Sequence, residues 1–259
     1  MLTEDRIVAQ LRDLGVKNDD TLMVHVSLKS LGQLDTGEKS GAEVLISGLR
    51  RAVSDGLLLI PAFTFSNIRQ EPVFDIRDTK PCVGAVPCVA VELANRAYEK
   101  EDKTCIRSFH VSHSVVAFGK DAYGYTAADK NSSTPTPFGG SVGKLYEKDA
   151  KILLIGVDMT KITFIHAIDE YLEPQGVSAP YYITATDYDG TQVQRTARNC
   201  QGPSRLYGVY EPCLREAGGV ADGMLGDAKM HLVSARKCFE VVKACRETVF
   251  KPAVKKQAK

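Results

Sequence analysis

Apolar residues recur along the chain in the pattern of an α/β protein. Four short apolar runs are typical of buried strands: Leu22–Val26, Gly56–Pro61, Val115–Phe118 and Ile152–Ile155. Between the runs, apolar positions at helical spacing predict helices that begin after Thr3, after the capping box Ser40-x-x-Glu43, and at Val86. An order in which strands alternate with helices predicts parallel strand pairs.

The pattern changes after Pro174. Tyr181–Thr186 and Thr191–Thr196 flank Asp189-Gly190, a pair that favours a β-hairpin, and Ser234–Arg246 predicts a last amphipathic helix. No repeat or linker divides the chain. We therefore predict a single α/β domain over residues 1–259, with a central mixed, largely parallel sheet flanked by helices and an antiparallel C-terminal appendage.

Composition narrows the classes of function. Hydrophobic residues make up 44% and charged residues 25% of the 259 residues, the balance of a soluble globular protein. A formal net charge of +1 without a basic stripe argues against nucleic acid as a partner. The absence of a secretory signal and of a long apolar run predicts a cytoplasmic protein without a membrane partner. Seven scattered Cys without C-x-x-C spacing favour reduced thiols over a disulfide framework or a zinc ribbon.

The segment 151–171 combines a predicted buried strand with potential catalytic groups. After Gly156 and a polar turn, Ile162, Ile165 and Ile168 have helical spacing. On that helix His166 shares a face with the carboxylates three and four residues later, Asp169 and Glu170. A strand that ends in a loop and leads to such a helix is a common position for catalysis.

Two other motifs carry less weight. Gly139–Gly143 matches the serine-hydrolase pattern G-x-S-x-G, but the preceding residues 134–137 contain two prolines and do not form the strand that this motif requires. Ser27–Gly32 follows a predicted strand and precedes a helix, so its backbone amides and Lys29 could hold a phosphate.

A metal site is the remaining alternative from the residues alone. His110 and His113 stand three positions apart, and His166 with Asp169 could complete a zinc site for hydrolysis. The pair does not lie on a clear helix, and no further His or Cys cluster supports it. A structural role for His110 stays equally open.

Six segments follow one another along the chain: Val24–Gly32, Pro61–Phe65, Arg107–Ser114, Thr136–Val142, Ile152–Gly156 and Thr163–His166. With Gly218–Ala228 and the closing helix, this order resembles the aminoglycoside 3-N-acetyltransferase family over nearly the whole chain. The resemblance implies a sheet flanked by helices, unlike the fold of histone-type acetyltransferases. It also implies transfer of an acetyl group from acetyl-CoA to the 3-amino group of the deoxystreptamine ring of an aminoglycoside, which confers antibiotic resistance.

The resemblance also implies roles for individual residues. The residues expected to hold CoA are Ser27, Leu28, Lys29, Ser30, Phe63, Arg107, Ser108 and Val111, the first four at the pyrophosphate and the last three along the pantetheine path. The residues expected to contact the amine substrate are His110, Glu173 and Asp187.

The expected catalytic residues lie on the predicted helix. His166 would act as the general base, because imidazole accepts protons near neutral pH. Asp169, or Glu170 as the second choice, would fix its tautomer, and Thr163 would donate a hydrogen bond to the thioester oxygen. No metal is required.

Three departures from the family pattern bear on the substrate. Val111 replaces a proline, residues 127–131 lack a histidine before the Pro-Phe-Gly loop, and Asp169 replaces a glutamate. We expect residues 1–175 to bind CoA and carry catalysis, and residues 176–259 to complete the substrate cleft of a monomer or homodimer. A non-aminoglycoside amine is the alternative substrate, and a His/Asp metal-dependent hydrolase is the alternative enzyme.

Overall fold

The computed structural model describes residues 1–257. In that range the strands are β1 (Thr21–Val26), β2 (Leu57–Pro61), β3 (Val73–Asp75), β4 (Cys105–Arg107), β5 (Val115–Phe118), β6 (Lys151–Ile155), β7 (Tyr181–Thr186), β8 (Gln192–Ala197), β9 (Val220–Leu225) and β10 (Ala228–Ser234). The α-helices are α1 (Glu4–Asp13), α2 (Gly41–Ala52), α3 (Asn67–Gln70), α4 (Ala85–Glu99), α5 (Ala122–Thr126), α6 (Phe164–Leu172), α7 (Glu211–Glu216), α8 (Ala235–Cys245) and α9 (Lys251–Gln257).

Seven strands form the central sheet, in the order β4-β5-β2-β1-β6-β10-β9. β1 is parallel to both β2 and β6, whereas every other pair in this sheet is antiparallel. The predicted mixed sheet flanked by helices is thus confirmed. The expectation that it is largely parallel is wrong, because two of its six strand pairs are parallel, both within the central trio. Strands β9 and β10, neither of which was predicted, form a hairpin at one edge of this sheet.

Alternate side chains of the central strands enter two separate apolar clusters. In β1, Leu22 and Val24 pack on one side with α1, α2 and α4, whereas Met23 packs on the other side with α6 and α8. The same alternation holds in β6, where Ile152 and Leu154 face the α6 side. The continuous apolar runs in the sequence therefore reflect strands that are buried on both faces.

A smaller sheet lies beside the main one. The predicted hairpin forms as β7 and β8, and β3, a strand not predicted from the sequence, pairs in parallel with β7. None of the helices within residues 1–257 has the length and apolar character needed to cross a membrane.

The topology fixes where a site can form. β1, β2 and β6 are parallel neighbours, so the residues that follow Val26, Pro61 and Ile155 lie close together, at the carboxyl ends of these strands. The carboxyl ends of parallel strands are the usual position of ligand sites in α/β proteins.

Candidate active site

A tight turn after β6 places the start of α6 at these strand ends. Gly156 has a φ of 62°, and a Cβ atom at this position would overlap Ser30 Oγ, so glycine lets the two turns approach each other. One 3₁₀ turn, Met159–Lys161, leads to α6, with Thr163 at its N-cap position. Thr163 and His166 thus lie one turn apart at the carboxyl ends of the parallel strands.

His166 and Asp169 are joined through a tyrosine hydroxyl. Tyr207 Oη lies 2.7 Å from His166 Nδ1, and it donates a hydrogen bond of 2.8 Å to Asp169 Oδ2. Because the single hydroxyl proton goes to the carboxylate, the hydroxyl oxygen accepts the proton of Nδ1–H. The other ring nitrogen, Nε2, then carries the free lone pair.

Basic side chains lie behind Asp169. Arg246 NH1 is 3.3 Å from Asp169 Oδ1, and NH2 of the same guanidinium donates to Glu173 Oε2 at 2.9 Å. Lys251 Nζ lies 3.1 Å from the other oxygen of Glu173. Burial raises the pKa of Asp169, although Arg246 and Tyr207 both act to lower it. Arg246 begins a π-helical turn, Arg246–Phe250, between α8 and α9, and such turns are frequent at functional sites.

His166 lines a cavity of about 390 Å³ at the carboxyl ends of the parallel strands. Much of its wall is apolar and comes from the ends of β1 and β2 and the loops after β2 and β6: Val24, Val26, Ile60, Phe63, Phe65 and Val157. Its polar wall includes Thr163, Lys161 and Ser204. Within the described chain, no carboxylate lines this cavity. It therefore suits an extended, largely apolar ligand portion with few polar groups.

Three of the five histidines of the chain line this cavity: His25, His113 and His166. Burial lowers the pKa of His166 to about 4. Burial, with Lys161 nearby, lowers the pKa of His25 to about 4 as well. Burial holds the pKa of His113 well below its ordinary value, and the neighbouring histidines add to this effect. All three imidazoles are therefore neutral at pH 7.

The residues predicted to hold CoA divide into two groups. Phe63 lines the cavity, and the 3₁₀ turn Leu28–Leu31 follows directly on Val26, another lining residue. In that turn Ser30 Oγ donates to Ser27 O at 2.7 Å, which fixes its shape. Phe63 thus belongs to the cavity wall, whereas residues 27–30 follow a lining residue along the chain and are not part of the wall themselves.

The second group, Arg107, Ser108 and Val111, lies inside the protein rather than along the cavity wall. Arg107 is fully buried, and it donates to Ser114 Oγ and to backbone carbonyls in the loop after β2 and near β3. Ser108 Oγ accepts from the backbone N–H of Val115 at 3.0 Å. These contacts provide partners for polar groups buried in the loops, and the predicted place of the three residues along the pantetheine path stays a prediction.

His110, whose contact with the amine substrate stays a prediction, is hydrogen-bonded within the protein. Its Nε2 lies 3.0 Å from Thr134 O, and its Nδ1 accepts from the backbone N–H groups of Ser112 and His113 at 3.3 and 3.1 Å. Both ring nitrogens are thus occupied by the protein backbone. His110 joins its own turn to the loop that contains Thr134.

The predicted acidic residues are likewise bound within the protein. Glu170 lines a second cavity together with His166, and it accepts hydrogen bonds from Thr136 N at 2.9 Å and from Thr134 Oγ1. Lys130 Nζ lies 2.9 Å from Asp187 Oδ2. Glu173 borders the same second cavity, which has a volume of about 350 Å³. Each of these carboxylates has a cation or a hydrogen-bond donor from this chain as its partner.

The sequence pattern did not indicate four side chains at the site: Tyr207, Arg246, Gly202 and His25. His113 was expected there only as a possible metal ligand, and it lines the cavity. Tyr207 is 41 residues from His166 along the chain and stands in a segment without a recognisable motif. Only the fold brings these residues together. The predicted strand ends at Val26 and Pro61 were the one signal that pointed to His25 as a neighbour of the site.

The possible metal ligands include His110 and His113. Within residues 1–257, no group of three or more His, Cys, Asp and Glu side chains has an arrangement that could hold a metal ion. His110 and His113 have ring centroids 6.1 Å apart, and the hydrogen bonds of His110 occupy both of its nitrogens.

Known proteins resemble this chain over most of its length. The sequence model of the family described as aminoglycoside 3-N-acetyltransferase matches residues 23–247. Aminoglycoside N(3)-acetyltransferase VII of Streptomyces paromomycinus is 23% identical over 258 residues, which cover 91% of this chain and 88% of that protein. Aminoglycoside N(3)-acetyltransferase III of Serratia marcescens is 30% identical over 182 residues, or 64% of this chain and 63% of that protein.

Solved structures share the fold. The complex of AAC-IIIb with CoASH superposes with a TM-score of 0.76 at 20% identity, covering 95% of this chain and 97% of that one. The apoenzyme of AAC(3)-IVa superposes with a TM-score of 0.73 at 24% identity, covering 93% of this chain and 86% of that one.

Proposed function

The chain belongs to the aminoglycoside 3-N-acetyltransferase family, whose members are acyltransferases, and on this premise we propose that it moves an acetyl group from acetyl-CoA to a primary amine. The acceptor proposed first is the 3-amino group of the deoxystreptamine ring of an aminoglycoside, so that the reaction confers resistance to the antibiotic. The observation that carries the proposal is His166, whose Nδ1 contacts Tyr207 at 2.7 Å and whose ring lines the 390 Å³ cavity, while Nε2 has no hydrogen-bond partner within the described residues.

His166 is the proposed general base. The unprotonated amine attacks the thioester carbonyl directly, and its nitrogen becomes strongly acidic as the C–N bond forms. His166 Nε2 accepts this proton, which suits a base whose pKa is lowered to about 4. The C–S bond then breaks, the proton passes to the thiolate, and CoA leaves as the free thiol. The products are the acetamide and CoA, with no net change in protons.

Thr163 is the proposed donor to the thioester oxygen. Its side chain lines the cavity one turn before His166. At the N-cap position the hydroxyl makes no capping hydrogen bond to its own helix, so it stays available to a ligand.

The residues of the cavity fit the pantetheine arm of acetyl-CoA, which supplies the activated acetyl group. Phe63, Phe65 and Val26 offer apolar walls to the thioester end. Lys161 and the turn Ser27–Ser30 follow the carboxyl ends of β6 and β1, where amide N–H groups and a cation suit the pyrophosphate.

The two portions of the chain both contribute to this proposal. Residues 1–175 supply the cavity walls, His166 and Asp169, and we propose that they bind CoA. Residues 176–259 supply Ser204 to the cavity and Tyr207 to His166. This contact supports the proposal that the C-terminal portion completes the substrate site.

An amine other than an aminoglycoside is the second candidate acceptor. An aminoglycoside carries several positive charges and favours a carboxylate-lined cleft. Here Glu170, Glu173 and Asp187 already bind threonines or cations of this chain, and a lysine lines the cavity beside His166. These contacts favour an acceptor with fewer positive charges.

Calorimetric titration with CoA and a thiol-release assay with acetyl-CoA over a panel of amines test the proposal. We expect micromolar to millimolar CoA affinity and acetyl transfer to at least one amine, with the acetamide identified by mass spectrometry. If the acceptor is polycationic, its KM should rise steeply with ionic strength. If it is a monoamine, its KM should depend little on ionic strength. CoA binding without transfer to any amine would refute the enzyme, and activity that depends on added zinc would favour the hydrolase.

A further inference from the structure

We propose that Tyr207 is a positioning residue through which Asp169 acts on His166, so that the catalytic unit is His166–Tyr207–Asp169 rather than a directly bonded His–Asp pair. This inference rests on the proposed role of His166 as general base. It assigns to the C-terminal portion of the chain a residue on which the reaction depends.

The proton positions follow from the geometry. Tyr207 is fully buried, and burial strongly raises its pKa, so the phenol keeps its proton. That proton lies in the 2.8 Å hydrogen bond to Asp169 Oδ2. The 2.7 Å contact with His166 can then form only if Nδ1 carries a proton. Tyr207 thereby selects the tautomer in which Nε2 is free to act as the base.

Tyr207 also connects the charge of Asp169 to the imidazole. When His166 gains a proton at Nε2, the Nδ1–H bond to Tyr207 Oη strengthens, because the hydroxyl is polarised by the carboxylate. The other oxygen of Asp169 forms an ion pair with Arg246 at 3.3 Å, without a hydrogen bond. The effect requires no movement of Asp169 toward His166.

The packing around Tyr207 leaves its hydroxyl little freedom. Its ring meets the His166 ring edge-on, with centroids 4.9 Å apart, and lies 5.8 Å from the Phe250 ring. Gly202 covers the junction, because a Cβ atom there would lie 2.9 Å from Tyr207 Oη and 3.1 Å from Asp169 Oδ2. The hydroxyl is therefore held between both partners.

Tyr210 shows that this placement is specific. It lies in the same segment, Ser204–Tyr210, it is also fully buried, and it stacks on Phe250. Its hydroxyl, however, has no hydrogen-bond partner within the described residues. A buried tyrosine in this segment is thus tolerated without a partner, whereas Tyr207 is placed to bond two.

The test compares Tyr207→Phe with the matched control Tyr210→Phe. Tyr207→Phe removes the hydrogen bonds to His166 and Asp169, so we expect kcat to fall roughly 10- to 100-fold. We expect the KM for acetyl-CoA to change little and the urea midpoint to fall, because Asp169 Oδ2 and His166 Nδ1 lose a buried partner. Tyr210→Phe should keep kcat within about twofold of wild type. A Tyr207→Phe enzyme with at least half of the wild-type kcat overturns the inference.

A double-mutant cycle separates positioning from a general structural role. If Asp169 acts through Tyr207, Asp169→Asn lowers kcat strongly in the wild type but by less than about threefold in the Tyr207→Phe background. Multiplicative effects would mean that the two residues act independently, which contradicts the proposal.

The tautomer gives a readout that does not depend on turnover. In histidine labelled with ¹⁵N, we expect wild-type His166 to show a protonated Nδ1 and an unprotonated Nε2, and Tyr207→Phe to show a mixture. A wild-type enzyme that transfers acetyl to no amine refutes the proposed function, while an Nε2–H tautomer in the wild type refutes the role of Tyr207 whatever the activity.

Discussion

The turn Arg107–Ser114 and the start of α6, Thr163–Asp169, carry the same kinds of side chain but use them differently. In the turn, His110 bonds backbone groups through both ring nitrogens, and Arg107 donates to Ser114 and to three carbonyls. At α6, His166 bonds the protein through Nδ1 alone. The first region is a brace between loops, and the second leaves polar atoms to a cavity.

Residue type alone therefore does not identify a catalytic group. What matters is whether the hydrogen-bond donors and acceptors of the side chain are already bonded within the protein. A histidine can act as a base only if one nitrogen keeps a free lone pair facing the ligand. His166 meets this condition and His110 does not. The two arginines differ in their partners. Arg107 donates to Ser114 and backbone carbonyls, whereas Arg246 pairs with the carboxylates of Asp169 and Glu173 beside the site.

The largest effect on activity should come from His166→Ala. Loss of the general base predicts a fall in kcat of roughly two to four powers of ten, with the CoA affinity nearly unchanged, because the cavity walls remain. Thiol-release kinetics and calorimetry with CoA measure the two quantities. His231→Ala is the matched control, since His231 pairs with Asp222 on the β9–β10 hairpin, and it should keep kcat within about twofold. An equal loss of CoA affinity in His166→Ala would instead make His166 structural.

The largest effect on stability should come from the other region. Arg107→Met leaves three carbonyls and Ser114 Oγ without their buried donor, which predicts a loss of about 3 to 5 kcal/mol in the free energy of unfolding. Urea unfolding measures this loss. The folded fraction should bind CoA with wild-type affinity, and a stable Arg107→Met protein with weak CoA binding would restore Arg107 to the pantetheine path.

The fold could be predicted where burial on both faces makes a strand continuously apolar. Leu22–Val26, Val115–Phe118 and Ile152–Ile155 all form strands of the central sheet close to their predicted bounds. Strand β9, Val220–Leu225, could not, because it lies at the sheet edge with exposed residues and lacks an apolar run. Its position depends on pairing with β10, which is a tertiary contact.

The candidate site was predictable only for residues that one helix or one turn brings together. His166 and Asp169 share a helix face, so their spacing revealed them. Tyr207 and Arg246 reach the same point from separate segments, Ser204–Tyr210 and Arg246–Phe250. Neither segment has a periodicity that indicates chemistry, and the tyrosine between His166 and Asp169 therefore appears only in the folded chain.

A third, smaller effect concerns the loss of stability at acid pH. His25 has a pKa lowered to about 4 in the folded chain, against about 6.5 when unfolded, so the unfolded chain binds more protons between these values. Stability is therefore full above pH 6.5 and is lost as the pH falls toward 4. We expect His25→Gln to remove about 1 to 2 kcal/mol of the loss between pH 7 and pH 5, measured by urea unfolding at each pH.

The pH dependence of stability also tests whether the histidines of the cavity are buried and neutral. The cavity histidines should carry this acid response, because their neutral forms are stabilised by burial. A slope of stability against pH that is the same in His25→Gln and in the wild type would mean that His25 is solvated and protonates freely in the folded chain.

The smallest effect should come from Gly202→Ala, which tests how closely the site must fit. The added Cβ would lie 2.9 Å from Tyr207 Oη and 3.1 Å from Asp169 Oδ2, so one of these groups must move by a few tenths of an ångström. Because hydrogen bonds weaken steeply as their geometry departs from the optimum, kcat should fall about 3- to 10-fold while CoA affinity is kept. Gly41→Ala is the control, since its Cβ would make only an ordinary contact of 3.6 Å with Leu34. In the Tyr207→Phe background, where the hydroxyl is gone, Gly202→Ala should cost almost nothing further, and a full additional loss there would show that Gly202 acts on the site by another route.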